Sequence, residues 1–493
     1  MDRRKLLELQ TKRGAKTAGL DADRKTLEAV ITECRKRIEE RSNEYRDLDS
    51  YNKNDVIKNI IVDYVMANKP MVEGFIDDEN KPDTLKLMNK LVDDITNYGI
   101  LTEAMLNDKI YEIRSNGKEI KVEVEGHTQD LYDKEGNIVS FSSVEQQEII
   151  LRKFLGDVRL TPKDSIVNAR TIEGYRIAAV HSSATSPDPQ NPTGDRYHTF
   201  VLRKFFKIKM SLGDIVRKGT ISDNMAKLLA LMPAGGLTFF TVGATGSGKT
   251  VLNNAILQSV PPTTRTILLQ NPSEIDLRFK DNTGRVYNDV VHLEAKEIEF
   301  PSPNDPTMEN LMNHILRLSP TFVTLGEIRS NEEFNLALKI SLAGHSFSTT
   351  FHSDSSYDAI SRFLTAYQAV ATNIPAYLAL STITTVVDLI VVEKKLRDGT
   401  RKVIQISEVV GVDPNDNTKP LLNDIYTFDI DGEPDYDDEG NVVSIHGHHH
   451  RVGKLSSRLV RKFQLEGIES SKYEFLLSDP NVAEVETYTG ANV

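Results

Sequence analysis

The chain has 493 residues, with 60 Lys/Arg against 72 Asp/Glu for a net charge of −12, 39% apolar residues, 27% charged residues and one cysteine. This length predicts about two to four domains. The composition argues against a broadly basic nucleic-acid-binding surface, and the single Cys34 excludes an intrachain disulfide framework and a multi-cysteine metal site.

Residues 1–50 hold 13 Lys/Arg and 11 Asp/Glu around sparse apolar positions such as Leu27, Val30, Ile31 and Ile38. That spacing predicts a solvated helix or short helical hairpin with one narrow apolar stripe. Met1-Asp2-Arg3-Arg4-Lys5 leads into this charged pattern rather than an apolar signal core, and no apolar run is long enough to span a bilayer. A cytoplasmic location is therefore expected. Helical periodicity continues from Asp55 to Ile95, so residues 1–98 read as a helical extension. Near Gly99 the period changes to two, in Ile110-Tyr111-Glu112-Ile113 and Ile120-Lys121-Val122-Glu123-Val124. A helix over 144–155 and short strands over 166–169, 175–180 and 198–202 complete a small α+β domain, 99–205. Residues 185–194 read as a surface loop and 206–220 as a linker.

Residues 221–412 alternate helical and strand-like segments, which predicts an α/β core with a mostly parallel sheet and its ligand at the C-terminal ends of the strands. Gly243-Ala244-Thr245-Gly246-Ser247-Gly248-Lys249-Thr250 fits the phosphate-loop pattern Gly-x-x-x-x-Gly-Lys-Ser/Thr. It follows the β-rich stretch 237–242 and precedes the helical stretch 251–260, beginning with Val251. A strand, a Gly-rich turn and a helix start aim backbone N–H groups and the positive helix end at one point. Lys249 would reach the β- and γ-phosphates and Thr250 would ligate Mg²⁺, so a nucleoside triphosphate is the expected ligand.

Further along, Glu327 lies just past the apolar strand 321–325, where an acid can hold a Mg²⁺ shell or polarise a water. Gly344-His345-Ser346-Phe347-Ser348-Thr349-Thr350-Phe351-His352 then brings two histidines into one short segment. For zinc they lack a third ligand at suitable spacing apart from Asp354. Residues 413–493 read as an acidic, turn-rich extension. His446, His448, His449 and His450 within it read as a polar loop rather than a metal tract.

These segments together resemble the secretion ATPase superfamily of type II secretion, type IV pili, Tad pili and type IV secretion. The matching pieces are the phosphate loop, an Asp-box region at 267–277, Gly326-Glu327-Ile328-Arg329 as Walker B, and the His box at 344–352. Val201-Leu202-Arg203-Lys204-Phe205 and Gly174-Tyr175-Arg176-Ile177 are similar to segments of the Tad/CpaF and type IV secretion branch. The resemblance implies a RecA-like motor domain behind a small α+β domain, a hexameric ring, and Mg²⁺-ATP hydrolysis that works an inner-membrane platform from the cytoplasmic face. It assigns phosphate and Mg²⁺ roles to Lys249 and Thr250, the water-activating role to Glu274, the Walker B role to Glu327 and His-box roles to His345 and His352. Arg176 and Arg203 become candidates for charge stabilisation at the γ-phosphate.

The chain departs from the family at Leu269-Gln270-Asn271-Pro272-Ser273-Glu274, where Gln270 and Asn271 replace two acids. Amides keep shape and hydrogen bonding but lose charge and basicity. A non-hydrolysing, nucleotide-gated assembly component therefore stays open beside the motor, as does a nucleic-acid translocase, because ring-shaped phosphate-loop motors share this core.

Overall fold

A computed structural model describes residues 24–45, 48, 50–77, 81–124, 127–186, 194–204, 210–271, 275–296, 302–371, 373–480 and 486–490. It divides into two compact units, 1–207 and 208–493. Among the described residues no helix is long and apolar enough to cross a membrane.

The first unit opens with helices α1 (Leu27–Glu40), α2 (Ser50–Asn68) and α3 (Thr84–Thr96). Val30, Cys34 and Ile38 from α1 meet Ile57, Ile61 and Val65 from α2 and Leu87 and Leu91 from α3, all buried. The narrow apolar stripe is therefore a three-helix core. An all-antiparallel six-stranded sheet follows, in the order β3-β2-β1-β6-β5-β4. Its strands are β1 (Ile110–Asn116), β2 (Glu119–Val124), β3 (His127–Asp130), β4 (Ile166–Arg170), β5 (Arg176–Val180) and β6 (Thr199–Arg203), with α4 (Val144–Leu155) packed on one face.

The sequence places a domain boundary near residue 98, but helices and sheet form one unit. Tyr45 Oη donates to the Ile172 carbonyl at 3.1 Å, and the Ser50 and Tyr175 hydroxyls share a buried hydrogen bond of 2.9 Å. Polar side chains of the helices finish their hydrogen bonding on the sheet domain, which ties the two together. The expected loop at 185–194 lies largely outside the described residues, as do residues 1–23.

The second unit is built on a nine-stranded sheet in the order β9-β8-β10-β11-β7-β12-β13-β14-β15. The parallel part comprises β7 (Phe239–Val242), β8 (Thr266–Gln270), β9 (Val290–Glu294), β10 (Phe322–Leu325), β11 (Ser346–Phe351) and β12 (Leu389–Lys395). β13 (Arg401–Val412), β14 (Pro420–Ile430) and β15 (Gly447–Arg451) extend it antiparallel. Alternate side chains enter opposite cores, as a two-residue period requires. Phe239 and Leu268 face α5 (Asp223–Ala234) and α6 (Lys249–Leu257), whereas Phe240, Ile267 and Leu269 face α7 (Met308–Ile315), α8 (Asn331–Leu342), α9 (Ser356–Val370) and α10 (Ala376–Val386). The helix expected over 251–260 begins at Lys249, because Gly248 turns the chain directly into it.

The boundary expected at 412 falls inside this sheet. β14 and β15 continue it, and α11 (Ser457–Leu465) buries Leu459 and Phe463 in the core beside α5 and α6. Lys462 Nζ donates to both oxygens of the fully buried Asp388 at 2.8 and 2.7 Å, while the Thr238 N–H donates to Asp388 Oδ2 at 2.9 Å. Acidic turns disguise the tail in the sequence, because β14 carries Asn, Asp and Thr among its apolar residues and is buried without a clean two-residue alternation. The histidine tract is likewise strand β15 rather than a loop. His449 points inward, with Nε2 3.0 Å from the Val403 carbonyl, and burial pushes its pKa down to about 3.

Candidate functional site

In a parallel sheet every strand delivers its following loop to one edge, so the residues after β7, β10 and β11 converge there. The loop 243–248 leaves β7, and two of its glycines are required sterically. Gly248 has φ +112°, and a Cβ there would reach 2.5 Å from Glu393 Oε1. A Cβ on Gly243 would overlap the Glu393 carbonyl oxygen. Around Gly246, at φ +76°, the space beyond the backbone is open, as a phosphate seat needs.

Ala244, Thr245 and Gly246 are exposed at the lip, while Ser247 is buried with its Oγ in no hydrogen bond. Thr250 and Val251 lie on the first turn of α6. The buried Lys249 folds back over the loop, and its Nζ donates to the Ala244 carbonyl at 2.9 Å. Burial lowers its pKa, opposed by the charges of Glu327 and Glu393.

His352, just past β11, joins the elements. Its Nδ1 lies 3.3 Å from both Lys249 Nζ and the Gly243 carbonyl, and its Nε2 lies 3.2 Å from Glu327 Oε1. Glu327 follows β10 and also accepts from Arg329 Nε at 3.0 Å. Its backbone is held at both sides: Gly326 N–H donates to the Leu269 carbonyl at 2.9 Å, and Ile328 N–H donates to the Thr350 carbonyl at 2.9 Å. A cation, an imidazole and a carboxylate thus form a chain across three strands at the mouth of a phosphate loop. The donor set fits a polyphosphate with a divalent cation: loop N–H groups and Lys249 for the phosphates, the Thr250 hydroxyl and Glu327 for the metal shell.

Residues 100–412 match the family described as Type II/IV secretion system protein. The chain belongs to that family. The chain is 32% identical over 218 residues to the type IV secretion system protein VirB11 of Brucella suis, an alignment covering 40% of this chain and 56% of that protein. It is 29% identical over 187 residues to the uncharacterized protein MJ0900 of Methanocaldococcus jannaschii, covering 38% of this chain and 31% of that one. The matched part thus spans less than two thirds of either relative. Among solved structures, the ATPase DotB of Legionella pneumophila aligns at a TM-score of 0.42 and 18% identity, covering 59% of this chain and 75% of that one.

The remaining family positions divide. His345 precedes β11 whereas His352 follows it, so the strand places them at opposite ends of the sheet, roughly 20 Å apart at about 3.3 Å per residue. The structure therefore does not bring His345 to the phosphate loop, which corrects the grouping of both histidines as site residues. Next to His345, Ser346 Oγ donates to the carbonyl of Gly236, ahead of β7.

Glu274 lies outside the described residues. Gln270, at the end of β8, is buried and brackets the segment that carries it: Nε2 donates to the Ile275 carbonyl at 3.0 Å, and Oε1 accepts from the Ile275 N–H at 2.7 Å. A carboxylate could accept there but not donate. The amide at 270 is thus a loop clasp.

Arg176 and Arg203 belong to the first unit and stand opposite each other on β5 and β6. Arg203 donates through Nε and Nη2 to Glu112 Oε2 at 2.9 and 2.7 Å, and the register continues from Arg176 to Arg170. Three arginines form a cross-strand row with Glu112 at one end. Lys204 beside them is buried and donates to the carbonyls of Ala104, Met105 and Asn107 at 3.0, 2.7 and 2.8 Å. Burial lowers its pKa to about 7.

Sequence reasoning missed Glu393. It sits on β12 directly under the phosphate loop, against Gly243 and Gly248, on the face that Leu389 and Val391 share by the two-residue period of the strand. Its carboxyl is fully buried, Oε2 makes no hydrogen bond, and burial pushes its pKa up to about 8 against the charges of Arg401 and Lys249. Arg401 on β13 donates through Nε to the Gly246 carbonyl at 3.2 Å. The sequence signal available was an acid closing the apolar run Leu389–Val392, a position that a parallel strand beside β7 carries to the loop.

Proposed function

We propose that the chain hydrolyses ATP with Mg²⁺ as part of a secretion, pilus-assembly or conjugation apparatus. The observation that carries this reading is the Lys249–His352–Glu327 chain at the mouth of the phosphate loop. Backbone N–H groups of 244–249 bind and orient the β- and γ-phosphates, and Lys249 turns from the Ala244 carbonyl toward their charge. Thr250 and Glu327 hold Mg²⁺, which when bound neutralises charge on the phosphate oxygens.

A water oxygen bonds to the γ-phosphorus in line as the bond to the bridging oxygen breaks. ADP leaves, and the proton of the water passes to a base. Glu274 is the residue proposed for that base, from its place in the family motif. His352 is a positioning residue that keeps Lys249 and Glu327 in register. Arg176 and Arg203 are proposed to stabilise charge on the γ-phosphate, and the assembled form is proposed to be a hexameric ring acting peripherally at the cytoplasmic face of a membrane on a platform protein.

Phosphate release by the full chain with Mg²⁺-ATP, followed across protein concentration with light scattering, tests this. Activity that rises with assembly and disappears in Lys249→Ala supports the motor. Tight ATP binding in an assembled ring without phosphate release moves the chain to the non-hydrolysing reading. Stimulation by DNA with steep salt dependence moves it to a translocase.

A further inference from the structure

The edge hairpin β14–β15 carries side chains that the nucleotide site does not use. Along β15, His448 and His450 point to one face while His449 points into the core, so the tract is sorted by the two-residue period of a strand. Asp429 on β14 pairs directly with His448 in the antiparallel register and so shares its face. One ligand atom each from Asp429, His448 and His450 lies within 4.8 Å of the others, and the two imidazole centroids are 5.8 Å apart.

We propose that Asp429, His448 and His450 form a binding site for a divalent transition-metal ion, Zn²⁺ by ligand preference, that pins the sheet's outermost strand to its neighbour. Imidazole and carboxylate are ligands this ion accepts, and three protein ligands leave a position for water. His450 Nδ1 is inaccessible to solvent and lies 3.3 Å from Asp429 Oδ2, yet it makes no hydrogen bond there. Two ligand atoms about 3.3 Å apart match the edge of a tetrahedron with bonds of about 2.0 Å.

His448 adds the outer support such sites use. Its Nδ1 lies 2.9 Å from Asp431 Oδ2, and a proton held there leaves the lone pair on Nε2 for a metal. The metal would bridge β14 and β15 across the excursion 431–446, where a constraint on the sheet edge has the most chain to order.

The test titrates Co²⁺ into untagged, nucleotide-free full-length protein, follows visible absorption, and then displaces the ion with Zn²⁺. One tight Co²⁺ per chain is expected, weakened at least tenfold in His448→Ala/His450→Ala and about tenfold to a hundredfold in Asp431→Asn. His352→Ala should leave it unchanged, which separates this site from the nucleotide site. Asp429, Asp431 and His448 are exposed and His450 is half-buried at the sheet edge, so the variants should keep wild-type circular dichroism and ATP binding. Asp429→Asn, which keeps side-chain shape, gives a second reading and should also weaken binding. Absence of tight binding in the wild type, or binding retained in the double variant, overturns the proposal.

Discussion

The two ends of β11 differ more than their sequences suggest. At its C-terminal end His352 touches Lys249, the loop carbonyl of Gly243 and Glu327. At its N-terminal end His345 sits in the turn from α8, where neighbouring contacts are backbone fastenings such as Ser346 to Gly236. Both histidines lie in one motif, and one strand length separates a constellation of charged side chains from a structural turn. In a parallel sheet the chemistry gathers at one edge because only there do successive loops and helix N-termini face the same space.

The most damaging change should be Lys249→Ala. It removes the buried cation that folds over the loop, and a loss on the order of a thousandfold in phosphate release is expected. Steady-state turnover beside a nucleotide-binding titration checks it, and near-normal turnover would end the assignment of this edge. His352→Ala comes next. It deletes contacts to a cation and a carboxylate at once, and the misplacement of both groups should lower turnover about tenfold to a hundredfold. His352→Gln can restore one of these contacts and should recover part of the loss. Equal losses in both variants would mean that the ring itself reacts rather than positions.

Much of this edge was legible in the sequence, because the phosphate loop and the acid at 327 announce themselves through glycines, a lysine and flanking strands. Glu393 was not legible. Its role depends on β12 lying beside β7, a pairing that joins positions about 150 residues apart and that no local period encodes. The fold followed the same division. Periodicity located the helices and the parallel strands, whereas the closing strands β14 and β15 hid in an acidic stretch whose burial depends on β13. The N-terminal helices also read as a separate charged extension, since the hydroxyl contacts of Tyr45 and Ser50 to the small sheet leave no apolar signature.

The active edge also contains residues whose part is mechanical, and Gln270 sharpens that distinction. Gln270→Glu restores the family's acid but replaces a donor with a second acceptor facing the Ile275 carbonyl. A buried hydrogen bond lost in this way should cost about 1–3 kcal/mol of stability, read by denaturant titration. Faster turnover without loss of stability would show that the acid was missed for its charge.

Glu393 supplies a smaller effect with a definite sign. Its folded pKa of about 8 lies above the ordinary value of 4.5, so between those values the folded state keeps a proton that the unfolded chain has released. Stability from this group is therefore complete below pH 4.5 and declines as pH rises through about 8. Glu393→Gln should flatten that part of the profile, so its melting temperature relative to wild type should rise from pH 5 to pH 9. An unchanged profile would mean that Arg401 and Lys249 hold the carboxylate ionised.

The smallest effect should come from His345→Ala, and it carries the comparison. Removal of a partly buried side chain in a turn, away from the loop, should change stability by about 0.5 kcal/mol or less and turnover by no more than about twofold. The measurement is turnover beside a melting curve, set against His352→Ala under the same conditions. A tenfold loss of turnover at unchanged stability would require His345 to act beyond its own sheet end, where a second copy of the chain could supply the missing neighbour. Wild-type turnover would leave one histidine of the motif tied to nucleotide chemistry and the other to the turn that starts β11.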